Sequence, residues 1–168
     1  MKGTIFFKNR PSVISFAATA GKVVDSGITD ANNIGAVMAP AAYDTLSRHF
    51  ENTGTTISDY DLILTGDLGE YGAERLRELF KEDGIDLWEN YNDCGIMLYD
   101  TDNQNVYSGA SGAGASAAVM CGYVFDRIKK GELKNVLFAG TGALFSTVRV
   151  LQNETIPCIA NVIHIAGE

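Results

Sequence analysis

The sequence predicts a single α/β domain built around a mostly parallel sheet. Three observations lead there. Short apolar runs rich in β-branched residues recur along the 168 residues. Amphipathic stretches with helical spacing separate those runs, and no repeat, low-complexity tract or linker divides the chain. Alternation of strand and helix most simply winds a right-handed, parallel sheet. With 46% hydrophobic and 20% charged residues, the chain can bury a core of its own.

The elements follow in order. Residues 13–19 (VISFAAT) read as a buried strand closed by Gly21. The next stretch predicts a helix capped by Asp30 or Asn32, with Pro40 opening its main body and Gly54 ending it. Ala42, Leu46, His49 and Phe50 share one face of that helix. Residues 61–65 predict a second strand. Residues 70–83 predict a helix with Leu76, Leu79 and Phe80 turned toward a sheet. The runs 93–100 and 105–108 flank the polar turn TDNQ and predict a hairpin. A third helix spans residues 113–130, from Ala113 to Lys130, with Gly131 as its stop. Residues 135–140 and 158–165 are the last strands, joined by a long connection.

The third helix is unusual. Gly or Ala occupies seven of its fourteen positions between Gly112 and Phe125, and Ser116 is the only clearly polar side chain there. A helix apolar all round should be buried all round, and small residues allow close approach. One sheet and two other helices cannot surround it, so a second copy or another domain is expected against it. The preceding glycines carry neither G-x-x-x-x-G-K-[ST] nor G-x-G-x-x-G. G-x-S-x-G is also missed at both Ser111 and Ser116. A phosphate loop or a serine nucleophile is therefore the weaker reading.

Composition narrows the functional classes. A formal charge of −8 argues against nucleic acid and anionic membrane surfaces, which both demand clustered Lys and Arg. Cys94, Cys121 and Cys158 lie far apart, and with only two histidines they predict neither a metal site nor a disulfide framework. No apolar run reaches membrane-spanning length.

Six segments in one order then carry a family resemblance: GKVVDSGITDANNIGAVMAPAAYDTL, SDYDLILTGDLGEYG, DCGIMLYD, SGASGAGASAAVMCGYV, VLFAGTGALFS and ETIPCIANVIHI. Together they resemble the carboxy-terminal half of the SpoVAD family of sporulation proteins, over about residues 21–165. Residues 1–11 resemble the opening of the complete family protein. The resemblance implies a single thiolase-like half over residues 1–168. That half is βαβαβαββ, a mixed, mostly parallel sheet with helices on both faces, whose third helix lies in a layer shared with a second half.

The resemblance further implies a part in accumulating dipicolinic acid, with calcium, in the developing spore, beside SpoVA membrane proteins. The chain would then be soluble or peripheral to the forespore inner membrane. It also implies no catalysis. The thiolase cysteine belongs to the other half, and aligning Gly114-Ala115-Ser116 with the thiolase G-H-P-x-G-x-S-G motif puts Ser111 where that motif has its histidine. Dipicolinate is an aromatic dianion, and backbone N–H groups at a helix entrance suit its carboxylates. Ser108, Gly109, Ser111, Gly112, Gly114, Thr141 and Asn161 are the candidate ligand-lining residues, with no cofactor and no metal ligand among them. Cys94 reads as structural, and Asn161 and His164 have opposite strand parity. Two alternatives remain: an acyltransferase or acyl-CoA-binding relative, and a homodimeric assembly module pairing through the 113–130 helix without a small-molecule ligand.

Overall fold

A computed structural model describes residues 15–87 and 89–167. Five strands form one sheet in the order β1-β5-β4-β2-β3, where β1 is Ser15–Thr19, β2 Leu62–Thr65, β3 Tyr91–Asp93, β4 Asn135–Ala143 and β5 Cys158–Ala166. β2 runs parallel to both β3 and β4, whereas β5 is antiparallel to β4 and to β1. The strands β1 to β4 therefore share one direction and β5 opposes them, as a mixed, mostly parallel sheet should. The first two residues of the expected strand 13–19, and the segment 1–11, lie outside the described residues.

Alternation along the strands sorts the core into two clusters. Ile63, Leu137, Ala139, Ala160 and Val162 face helices α1 (Ile34–Thr53) and α2 (Gly69–Glu82). Leu64, Val136 and Ile165 face the third helical segment on the other side, with Val119, Met120, Val124 and Ile128. Helices thus cover both faces.

Helix α1 is capped slightly later than the sequence predicts, yet its main body begins well before Pro40. Asn33, rather than Asp30 or Asn32, caps it, its side chain accepting from the Ala36 N–H at 3.3 Å. Asp30 instead accepts from Asn32 N in the preceding turn. Pro40 consequently stands inside the helix. An interior proline forfeits one hydrogen bond, typically about 3 kcal/mol. Burial of Val37, Met38, Ala39, Ala41, Ala42 and Leu46 around it offsets that loss. Gly54 ends the helix in the left-handed region, at φ 67°. α1 crosses α2 at Gly35, where an added Cβ would stand 1.9 Å from the Leu68 carbonyl oxygen.

The hairpin expected over 93–100 and 105–108 does not form. Asp93 ends β3, and its carboxylate accepts from the Gly95 N–H, capping a short helix, α3 (Cys94–Met97). TDNQ is a turn, closed by Gln104 N–H to Asp100 O at 2.8 Å, but no ladder flanks it.

The third helix is continuous from 113 to 129 in three pieces: α4 (Ala113–Val119), a π-helical turn (Met120–Val124) and α5 (Phe125–Lys129). At α-helical spacing, the face carrying Ala115 and Val119 would continue through Gly122 and Asp126. The wider turn rotates the helix so that Val124 and Ile128 meet the sheet instead. Gly131 follows it at φ 74°. The expectation of burial on every side is not met within one chain: Ala113, Gly114, Ala117, Ala118, Cys121, Gly122 and Tyr123 are exposed. A short helix that the sequence did not reveal, α6 (Thr147–Leu151), lies in the connection before β5.

Candidate functional site

Parallel strands β2, β3 and β4 end on one side of the molecule, and the loops that follow them meet there. Open α/β sheets bind ligands at that edge. Asp93 organises it. Its Oδ2 accepts from Thr65 Oγ1 at 2.7 Å and Leu68 N at 2.9 Å, and its Oδ1 accepts from Gly69 N at 3.0 Å and Gly95 N at 2.9 Å. Because Thr65 donates to Asp93, it accepts from the Tyr91 hydroxyl at 2.7 Å. Burial raises the Asp93 carboxyl above its ordinary pKa, while the Thr65 and backbone donors oppose the shift. Four donors converge on it, which is the arrangement a carboxylate requires.

The loop 106–112 is stitched onto this frame. Glu70 N donates to Ser108 O, and Ala110 N donates to Gly95 O, both at 3.0 Å. Gly69 is obligatory beneath Ser108: its φ is 64°, and a Cβ would lie 2.5 Å from the Ser108 carbonyl oxygen. Tyr107 holds an uncommon positive φ of 53° with its ring 88% exposed.

A second carboxylate joins the loop to the sheet. Asp67, just beyond β2, accepts from Thr141 Oγ1 at 2.8 Å through Oδ1 and from Gly112 N at 2.7 Å through Oδ2. Ser116 Oγ donates to Gly66 O at 3.2 Å. Two predicted ligand-lining residues, Gly112 and Thr141, are therefore brought together, with Asp67 between them. Ser108 and Gly109 lie in the same loop, half-buried. Ser111, Gly112 and Gly114 are exposed, with open space where a Cβ on Gly112 or Gly114 would stand. Asn161 is not drawn into the group by any side-chain bond: its Oδ1 accepts from Gly21 N at 3.0 Å. The sequence reading passed over Asp67, Asp93 and Tyr107. An acid framed by two glycines just beyond an apolar strand, as in TGDLG, is the signal for the first.

Of the remaining reactive groups, Cys94 directly follows Asp93 and lies beside Ser116, whereas Cys158 and His164 lie on β5. Burial is the main force pushing the Cys94 thiol up to about 12 and the Cys158 thiol up to about 11. His164 pairs with Leu137, four residues before Thr141 on β4, so it lies roughly 13 Å along the strand from that residue. Its parity opposes that of Asn161, as the sequence predicts: Asn161 is exposed, and His164 packs against Tyr60. Among the described residues, no group of three or more His, Cys, Asp or Glu is placed to hold a metal ion, and no helix is long and apolar enough to cross a membrane.

Element succession, mixed sheet and helices on both faces define the class: a mixed, mostly parallel α/β domain, consistent with a single thiolase-like half. The profile of the stage V sporulation protein AD (SpoVAD) family matches residues 3–166, so the chain belongs to that family. It is 42% identical over 160 residues to stage V sporulation protein AD of Bacillus subtilis (strain 168), an alignment covering 95% of this chain and 47% of that protein. The chain thus spans about half the length of the curated relative it matches.

Proposed function

We propose that the chain is a noncatalytic sporulation protein that binds dipicolinic acid at the loop 107–114 and serves its accumulation in the developing spore. The observation carrying this reading is the meeting of family membership with a loop whose outer glycines are open. Gly112 and Gly114 leave room for a ligand, Ser108 and Ser111 flank them, and the exposed Tyr107 ring offers a face to an aromatic molecule. Absence of catalysis is supported by the buried, poorly ionised thiols of Cys94 and Cys158 and by the remoteness of His164. With no described membrane-spanning helix, the chain would reach the spore membrane by docking on SpoVA proteins.

Asp67 gives the reading a sharper form. A dicarboxylate beside an existing carboxylate is repelled unless a cation stands between them. Binding should therefore depend on calcium. Calorimetry tests this: heat with dipicolinate plus calcium, and much less with dipicolinate alone, is the expected outcome. No heat at millimolar ligand under either condition refutes retained binding.

One observation favours a second, compatible reading. The 113–129 helix exposes a face rich in Gly and Ala, and a second copy of the chain would supply roughly the length the relative has in excess. Self-association through this face is thus part of the proposal, and Cys121 on it is the chain's one exposed thiol. Light scattering that finds only monomer at micromolar concentration refutes it.

A further inference from the structure

Both histidines of the chain converge on one aromatic ring. His49, on α1, is 0% exposed, and its Nε2 lies 2.9 Å from the Tyr60 hydroxyl. Its Nδ1 lies 3.0 Å from Thr19 Oγ1 at the end of β1. His164, on β5, presents its ring edge-on to Tyr60 at 5.1 Å between centroids, and its Nε2 donates to Asn135 Oδ1 at 3.2 Å. A hydrogen-bonded chain thus runs Thr19, His49, Tyr60, Thr55, with Thr55 Oγ1 2.9 Å from the Tyr60 hydroxyl.

The position of this chain is as telling as its composition. β1 is an edge strand paired with β5 alone, and Thr19 is its side-chain fastening to α1. We propose that His49 is the pin of an acid-opened clamp: neutral, it holds edge strand β1 against α1 and Tyr60, and on gaining a proton it lets β1 come away while the rest of the sheet stays paired.

Among the described residues, the surroundings of His49 supply no counter-charge. The groups that face it are Thr19 from β1, Phe50 from α1, Tyr60 from the segment before β2, and His164 from β5. None of these is a carboxylate. Beside His164, Asp61 and Lys134 are the neighbouring charged residues. The Asp61 carboxylate is already bound by the Lys134 and Asn135 amides. Burial, with a smaller contribution from His164, accordingly holds the His49 pKa below its ordinary value. A buried cation without a partner is relieved most cheaply by admitting water, and Thr19 at the end of the edge strand is bonded directly to the imidazole. Local opening of a weakly held segment, rather than global unfolding, is the usual response.

Residue-resolved hydrogen exchange tests the clamp, read as protection factors at about pH 7.5 and about pH 5.5, on either side of the ordinary histidine pKa. A single linked proton predicts that β1 loses about tenfold in protection between the two, and that at both pH values β1 opens at lower cost than β2 and β4, which exchange through global unfolding. In His49→Gln, whose amide still donates and accepts but does not titrate, the β1 loss should vanish. Protection in β1 equal to that in β2 and β4, no loss in β1, or a β1 loss that persists in His49→Gln each overturns the proposal. Should His49→Gln fail to fold, the imidazole of His49 is titrated by NMR in the unaltered chain. A midpoint coinciding with β1 opening supports the clamp, and protonation without β1 opening overturns it.

Discussion

Asp93 gathers donors from β2, from the turn into α2 and from α3, and this convergence holds the loops at the strand ends in place. Replacing it by asparagine turns part of the acceptor surface into an amide facing backbone N–H groups. Asp93→Asn should lower stability by about 3 kcal/mol, seen as a shifted urea midpoint with an unchanged slope. Asp67 makes a different prediction. Asp67→Ala removes the carboxylate between Gly112 and Thr141. If calcium acts by bridging that carboxylate to the ligand, the variant's dipicolinate binding should lose its calcium dependence in calorimetry, whatever its absolute strength. Neither acid stood out in the sequence, because apart from Gly95 beside Asp93 the donors come from positions 24 to 74 residues away. The glycines and serines of the loop were legible, since composition alone marks them. Their use of Asp67 was not.

At the scale of the element, helix stops were the most readable feature: Gly54 and Gly131 both sit in the left-handed region where the sequence puts them. The hairpin misreading at 93–108 has a specific cause. DCGIMLYD looks like a strand by its apolar run, but capping by Asp93 converts its beginning into a helical turn. The π turn was equally hidden, because it answers to which residues the sheet will accept rather than to local preference. Its outer face carries the next prediction. Ala118→Glu places a charge on an exposed position, so thermal melts should report a change within about 0.5 kcal/mol of monomer stability. The same change should abolish any dimer in light scattering. Cross-linking through Cys121 with a short bis-maleimide should fail in step.

For the whole molecule, the pH dependence follows from the two histidines. Burial lowers both pKa values, so the folded chain binds fewer protons than the unfolded chain as pH falls below about 6.5. Stability is fully present above that value and is lost progressively on acidification toward the lower folded pKa values. Urea titrations between about pH 7.5 and 5 should show the midpoint falling, and less steeply in His164→Gln. The class of the sheet was legible from alternation of strand and helix. The strand order was not, because the placement of β1 beside β5 rests on contacts between opposite ends of the sequence. That same adjacency has a practical consequence. Ser15 and Ala166 are paired directly across the sheet edge, so a linker of a few residues can join them. A circularly permuted chain, reopened in the exposed turn 102–105, would keep every strand pairing and transfer the free ends to the opposite half of the sequence.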